Sequence, residues 1–179
     1  MYAYAKYWFF GRPVAFALVG VVALGILTLL PARETAARPA ADYGPPISGT
    51  VRVIDGDTIV VDSRHIRLEG IDAPEIAQRC GRRFFGTWAC GAAATHALAS
   101  IVAGRSVTCD SRGDDAYGRT LGVCFVNGQD INAHMVREGF AWAFVKYSKS
   151  YVREEAEAKS ARAGIWSGEA EPAWLFRHN

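Results

Sequence analysis

The stretch VIDGDTIVV, Val53–Val61, sets two carboxylates one residue apart, Asp55 and Asp57, directly before a β-branched apolar run. An Asp-Gly pair is enough for a hairpin turn, so a second acid after the glycine asks for another role. GTVRVI alternates polar and apolar residues as a half-buried strand does. TIVVDS and HIRLEGI read as two further strands joined by a tight turn near Asp62–His65. A second acidic stretch follows at once in IRLEGIDAPE, Ile66–Glu75, where Asp72 closes a strand and Glu75 stands beyond the stiffening Pro74.

Outward from this pair, FFGTWACGAAATHALASIV predicts a helix over about Phe84–Val102, with Gly104 as its C-cap. SVTCDS and TLGVCFV return to strand and flank the charged loop RGDDAYGR. Asp130 is the expected N-cap of a helix that stops at Gly139. A last helix, YVREEAEAKSARAG, reads as a solvated charged face with Glu155 and Lys159 paired at i,i+4. The order predicts an α+β domain, a small five-stranded barrel decorated by three helices.

A hard divalent cation needs oxygen ligands, carboxylates among them, on rigid backbone. Asp57 opens one strand and Asp72 closes another, so neighbouring strands bring both to one end of the sheet. With Glu75 added, three acids repel one another unless a cation or an arginine lies among them. Arg67 on the same strand pattern and Arg119 in DDAYGR supply guanidinium groups. Metal carboxylates, one further carboxylate as base and two arginines able to grip phosphate oxygens form a phosphodiester-cleaving set. Taken singly, each part has a plainer reading as a turn or a surface ion pair. An EF-hand is excluded, because the later ligand positions after Asp57 are apolar.

Residues 1–12 form a basic flank with Lys6 and Arg12, and Pro13–Ala32 runs twenty residues without charge. That length suits a bilayer's hydrocarbon core of roughly 30 Å. The expectation is an uncleaved membrane anchor; a cleaved signal segment and a buried helix are the alternatives. An Ala/Pro-rich linker spans 33–46 and the folded domain 47–179. Of 20 basic and 18 acidic side chains, four and two lie in the first 44 residues, leaving 16 of each in the rest. A near-neutral domain argues against a broad cationic surface, so an anionic substrate must be held locally. Cys80, Cys90, Cys109 and Cys124 make an even set with no zinc spacing. With an export segment, two disulfides and a periplasmic or extracellular domain are expected, buried free thiols being the alternative.

VIDGDTIVV, IRLEGIDAPE, DAYGRTLGVCFVNGQDINAHMVREGFAWA and EEAEAKSARAGIW resemble the staphylococcal nuclease (thermonuclease) family in order and spacing, over about Ser48–Trp166. The resemblance implies an OB-type five-stranded barrel with three helices and calcium-dependent hydrolysis of DNA and RNA, with one calcium ion. By motif it makes Asp57 and Asp72 metal carboxylates and adds the backbone carbonyl of Ala73. Glu75 becomes the general base, and Arg67 and Arg119 the phosphate-binding arginines. Tyr117 matches a tyrosine near the terminal phosphate, and Tyr147 a base-stacking aromatic. Asp55 is left as a turn residue. Cys109 and Cys124 lie on strands joined by the RGDDAYGR loop and are expected to tie its base, while Cys80 and Cys90 bracket GRRFFGTWA. The expected enzyme is a monomer acting on nucleic acid and reaching the membrane through its N-terminal helix. A catalytically silent OB-type module binding nucleic acid or protein, and a phosphodiesterase of non-nucleic substrates, are the competing readings.

Overall fold

The structure is a computed structural model that describes residues 44–178. The basic flank, the Pro13–Ala32 segment and the linker up to residue 43 lie outside the described residues. Among those described, no helix is long and apolar enough to cross a membrane.

The described residues open with strands β1 (Ile47–Gly49) and β2 (Val51–Val53), then β3 (Thr58–Val61), β4 (Arg64–Leu68) and the short β5 (Ile71–Asp72). A small hairpin, β6 (Cys80–Gly81) and β7 (Thr87–Trp88), precedes helix α1 (Cys90–Val102). Strands β8 (Val107–Asp114), β9 (Thr120–Val126) and β10 (Gln129–Asp130) lead to helix α2 (Ile131–Arg137). The pair β11 (Trp142–Ala143), helix α3 (Val152–Ala161) and the single-turn helix α4 (Ala173–Phe176) complete the order.

The main sheet runs β1-β8-β9-β4-β3-β2, with β10 paired to β9, and β4–β9 is its parallel contact. Its two edges are consecutive halves of one segment that breaks at Thr50. The expected single strand GTVRVI is therefore two strands, and the expected barrel is a curled sheet not hydrogen-bonded into a ring. Gly49 permits the crossing, since a Cβ there would lie 3.0 Å from the Asp62 side chain. Asp62 and Ser63 both take positive φ, 45° and 69°, the geometry of a two-residue hairpin turn.

Three of the helices were expected, and α2 has the predicted cap: the Asp130 carboxylate accepts the Ala133 N–H at 2.9 Å. The first helix is shorter than its apolar pattern suggested. Residues from Cys80 to Cys90 instead form the β6–β7 hairpin closed by a disulfide between those two cysteines. Gly86, at φ 79°, turns the chain where a continuing helix would need an α-conformation. The charged face of α3 is also only partly solvated. Glu154 is buried against Arg137 and Arg153, while Glu155 meets Lys159 at 2.6 Å and accepts the Ala143 N–H.

The principal core joins Ile59, Ile66 and Leu68 of the sheet to Leu98 of α1 and Met135 of α2. Buried Asn132 ties α2 to the sheet, accepting from Cys124 N–H and donating to the Glu69 and Gly122 carbonyls. A second cluster gathers Trp142, Ile165 and Ala173 around the Cys80–Cys90 bridge. Trp142 meets Trp166 and Trp174 edge-on, at 6.5 and 6.1 Å between centroids.

Cys109 and Cys124 face each other across β8 and β9 and are bonded. Both expected disulfides are thus present. Removing this one by paired Cys→Ala substitution is expected to lower stability by about 3 kcal/mol, chiefly by freeing the unfolded chain. A urea titration checks it, and an unchanged midpoint would count against the bridge.

Candidate active site

The Asp-Gly-Asp stretch has a separate task for each residue. The Asp55 carboxylate accepts the Asp57 N–H at 3.0 Å and so builds the turn before β3. A Cβ on Gly56 would lie 2.7 Å from the Ala73 side chain and 2.9 Å from that of Ala94, so only glycine allows this close approach. Asp57 is then delivered inward at 3% exposure. One of its oxygens accepts from the Arg67 guanidinium and the Thr58 hydroxyl, and the other from the Ala73 N–H at 2.8 Å.

Arg67 stands opposite Thr58 in the β3–β4 ladder, which aims its side chain at the strand's start. Asp72 arrives separately, at the end of β5, where it pairs with Trp142 of β11. Its side chain is 0% exposed and accepts from Arg67 Nη2 at 2.6 Å. One guanidinium therefore bridges two buried carboxylates from two different sheets. Burial pushes the Asp57 carboxyl up to about 7; Asp55 and Asp72 add to the rise, while Arg67 and the Ala73 N–H oppose it.

Glu75 lies three residues beyond Asp72, its side chain 37% exposed. Its backbone is fixed from both sides: Gln78 Oε1 accepts its N–H at 3.1 Å, and its carbonyl accepts the Gln78 N–H at 2.7 Å. Helix α1 packs directly on that carbonyl at Gly91, where a Cβ would lie 1.6 Å away. A second guanidinium, absent from the sequence-based expectation, completes the group. Arg177, just past α4, donates to both Asp72 oxygens, at 3.1 and 2.8 Å, and to Glu75 at 2.6 Å. It lies 105 residues from Asp72, and no local pattern in the sequence connects the two.

Arg119, Tyr117 and Tyr147 are held by contacts of their own. Arg119 directly precedes β9, whose parallel pairing with β4 sets Thr120 beside Ile66 and Leu121 beside Arg67. Its guanidinium is engaged by Asp115, at 2.8 Å through Nε and 2.7 Å through Nη2. Asp115 also accepts the N–H groups of Tyr117 and Arg119, each at 2.9 Å. These contacts hold its carboxyl below the usual range, against the opposing effect of desolvation. Asp115, rather than the Cys109–Cys124 bridge, is what orders the loop and holds Arg119. The disulfide lies too far down the ladder, below the bulge between Ser111 and Asp114.

Tyr117 is 86% exposed with its ring 5.5 Å from the Arg119 guanidinium. Tyr147 is 71% exposed and packs edge-on against Phe144 at 5.0 Å. Ala73 is buried, and its N–H rather than its carbonyl makes the contact with Asp57. Among the described residues no three His, Cys, Asp or Glu side chains are grouped as a ready-made metal shell. Two hollows, of about 380 and 480 Å³, are lined by none of Asp57, Asp72 and Glu75.

Residues 65–168 match the family model described as staphylococcal nuclease homologue. Arg67, Asp72, Glu75 and Arg119 fall inside the match, and Asp57 just before it. The chain is 41% identical over 136 residues to a protein named uncharacterized endonuclease from Escherichia coli O157:H7, covering 72% of this chain and 82% of that one. It is 39% identical to Protein ParB of Escherichia coli, over 71% of this chain and 76% of the other. With the micrococcal nuclease of Shigella flexneri it shares 37% identity, over 71% and 78% of the two chains.

Proposed function

The chain belongs to the staphylococcal nuclease homologue family, and on that footing we propose that it is an exported, calcium-dependent nuclease that hydrolyses phosphodiester bonds of DNA, RNA or both. The observation that carries this reading is the meeting of Asp57 and Asp72, from separate strands, on the single guanidinium of Arg67, with Glu75 beside them. A scaffold alone has little reason to bury two aspartates side by side, because desolvation of each costs several kcal/mol.

The donor chemistry fits calcium. The two aspartates offer hard, desolvated oxygens on rigid strand ends, and too few of them to close a shell without water or substrate. Asp57, Asp72 and the Ala73 backbone carbonyl are the groups that would hold the ion. When bound, calcium would supply positive charge that offsets what builds up on the phosphate oxygens.

The chain's own residues account for the rest. Glu75 is the wettest of the three acids and takes a proton from water as the water oxygen bonds to phosphorus. The opposite P–O bond breaks in line, and its leaving oxygen is protonated from solvent. Arg67 and Arg119 donate to the equatorial oxygens, where charge grows. Asp115 keeps the Arg119 head oriented until phosphate arrives. The exposed rings of Tyr117 and Tyr147 suit contact with a nucleotide, one beside the arginine and one as a stacking face.

The two disulfides support an oxidising compartment, periplasmic or extracellular. The apolar Pro13–Ala32 segment supports a membrane anchor, and one copy of the chain contains every residue the reaction uses.

The test is degradation of single-stranded DNA with calcium and then with a chelator. Loss of about 100-fold or more on chelation is expected. Undiminished cleavage would remove the metal role of Asp57 and Asp72. DNA that is bound but left intact would favour the silent binding module.

A further inference from the structure

The C-terminal segment is fastened along the edge of the acidic centre. The Glu169 carbonyl accepts the Gly81 N–H at 2.6 Å, and the Glu171 carbonyl accepts from the Gln78 amide, also at 2.6 Å. Gly168 sits so tightly on the β6–β7 hairpin that a Cβ would lie 2.4 Å from the Gly81 carbonyl. Trp174 then stacks on Phe144 at 5.5 Å and meets Trp142 edge-on, docking α4. Every one of these contacts lies upstream of Arg177, so they deliver its guanidinium to the centre while its own side chain stays 36% exposed.

Asp72 has no exposed surface, and Arg67 covers one side of it while also held by Asp57. Arg177 covers the other, reaching both carboxylate oxygens and Glu75. We propose that Arg177 is a further residue of the reaction centre: it occupies the cation's place on Asp72 and must be exchanged for calcium, so the C-terminal segment sets calcium affinity. This rests on reading Asp57 and Asp72 as the calcium carboxylates.

Charge balance favours exchange over addition. Three carboxylates with Arg67 and Arg177 carry a net formal charge of about −1, and replacing one guanidinium with a divalent ion brings this to about zero. Adding calcium without displacement sets a third cation on Asp72, beside Arg67 and Arg177. The long arginine stem lets the head swing out while Trp174 and Ala173 remain docked. The same swing frees Glu75, so one movement opens both the metal carboxylate and the base.

Calorimetric titration with calcium chloride tests this on the folded wild-type chain, Arg177→Ala and Arg177→Lys. A competitor engaged nine-tenths of the time weakens apparent affinity about tenfold, so Arg177→Ala is expected to bind calcium about tenfold more tightly. Arg177→Lys is expected to fall between, since a point charge cannot span Asp72 and Glu75 as a fork does. Equal or weaker binding by Arg177→Ala overturns the exchange alone. Absence of binding in all three overturns the calcium assignment and the exchange with it. A second measurement needs no variant: phenylglyoxal labelling of Arg177, followed by peptide mass, should quicken when calcium replaces chelator. An unchanged rate in protein shown to bind calcium overturns the proposal.

Discussion

Replacing Glu75 with glutamine is expected to lower turnover by about 100-fold or more while leaving the fold close to that of the parent. The substitution keeps the side chain's shape and an oxygen able to accept from Arg177, so the contact that now measures 2.6 Å survives. The Glu75 backbone is held independently, by Gln78 and by the packing of Gly91. What disappears is the carboxylate able to accept a proton from water. Single-turnover rates on a short single-stranded substrate, with unfolding midpoints measured in parallel, separate chemistry from folding. A folded variant that cleaves at the parental rate would take the role of base away from Glu75.

Arg67→Ala is expected to cost about 3–5 kcal/mol of stability, which is unusual for one surface-reaching arginine. Arg67 is the common partner of two carboxylates that are almost wholly buried, and its loss leaves Asp57 uncompensated. Arg177 still neutralises Asp72, but among the described residues no other cation is paired with Asp57. Saturating calcium should restore part of the loss, because an ion between the aspartates replaces the missing charge. Chemical denaturation with calcium and with chelator reads both effects. A loss below about 1 kcal/mol would mean the group behaves as an ordinary exposed ion pair.

Much of the acidic centre was legible because its parts are local. Asp57 stands at a strand start, Asp72 at a strand end and Glu75 just past a proline. Period-two patterning revealed the strands that position them. The Asp130 cap and the Glu155–Lys159 pair were readable for the same reason, each lying within one helical turn. The turn and second strand of the β6–β7 hairpin carry a helical apolar pattern from Phe84 to Trp88, yet Phe84 and Phe85 are 76% and 91% exposed and Trp88 packs against the tryptophan cluster beside the Cys80–Cys90 bridge. No periodicity reports a partner so far along the chain. Arg119 was placed in the right loop, yet the residue that orders it, Asp115, looked like one of several turn acids.

By itself, the sequence determined the order of the principal strands and of helices α1 to α3, the family, and which short stretches bear carboxylates and arginines, because these are written in spacings of a few residues. Only the tertiary structure decided that β1 and β2 become opposite edges of one sheet, and that Asp57 and Asp72 share a single guanidinium. It alone decided that Arg177 crosses 105 residues of chain to close over them. Those outcomes depend on burial and on charge brought together through space, where a buried carboxylate takes whichever cation the fold carries to it.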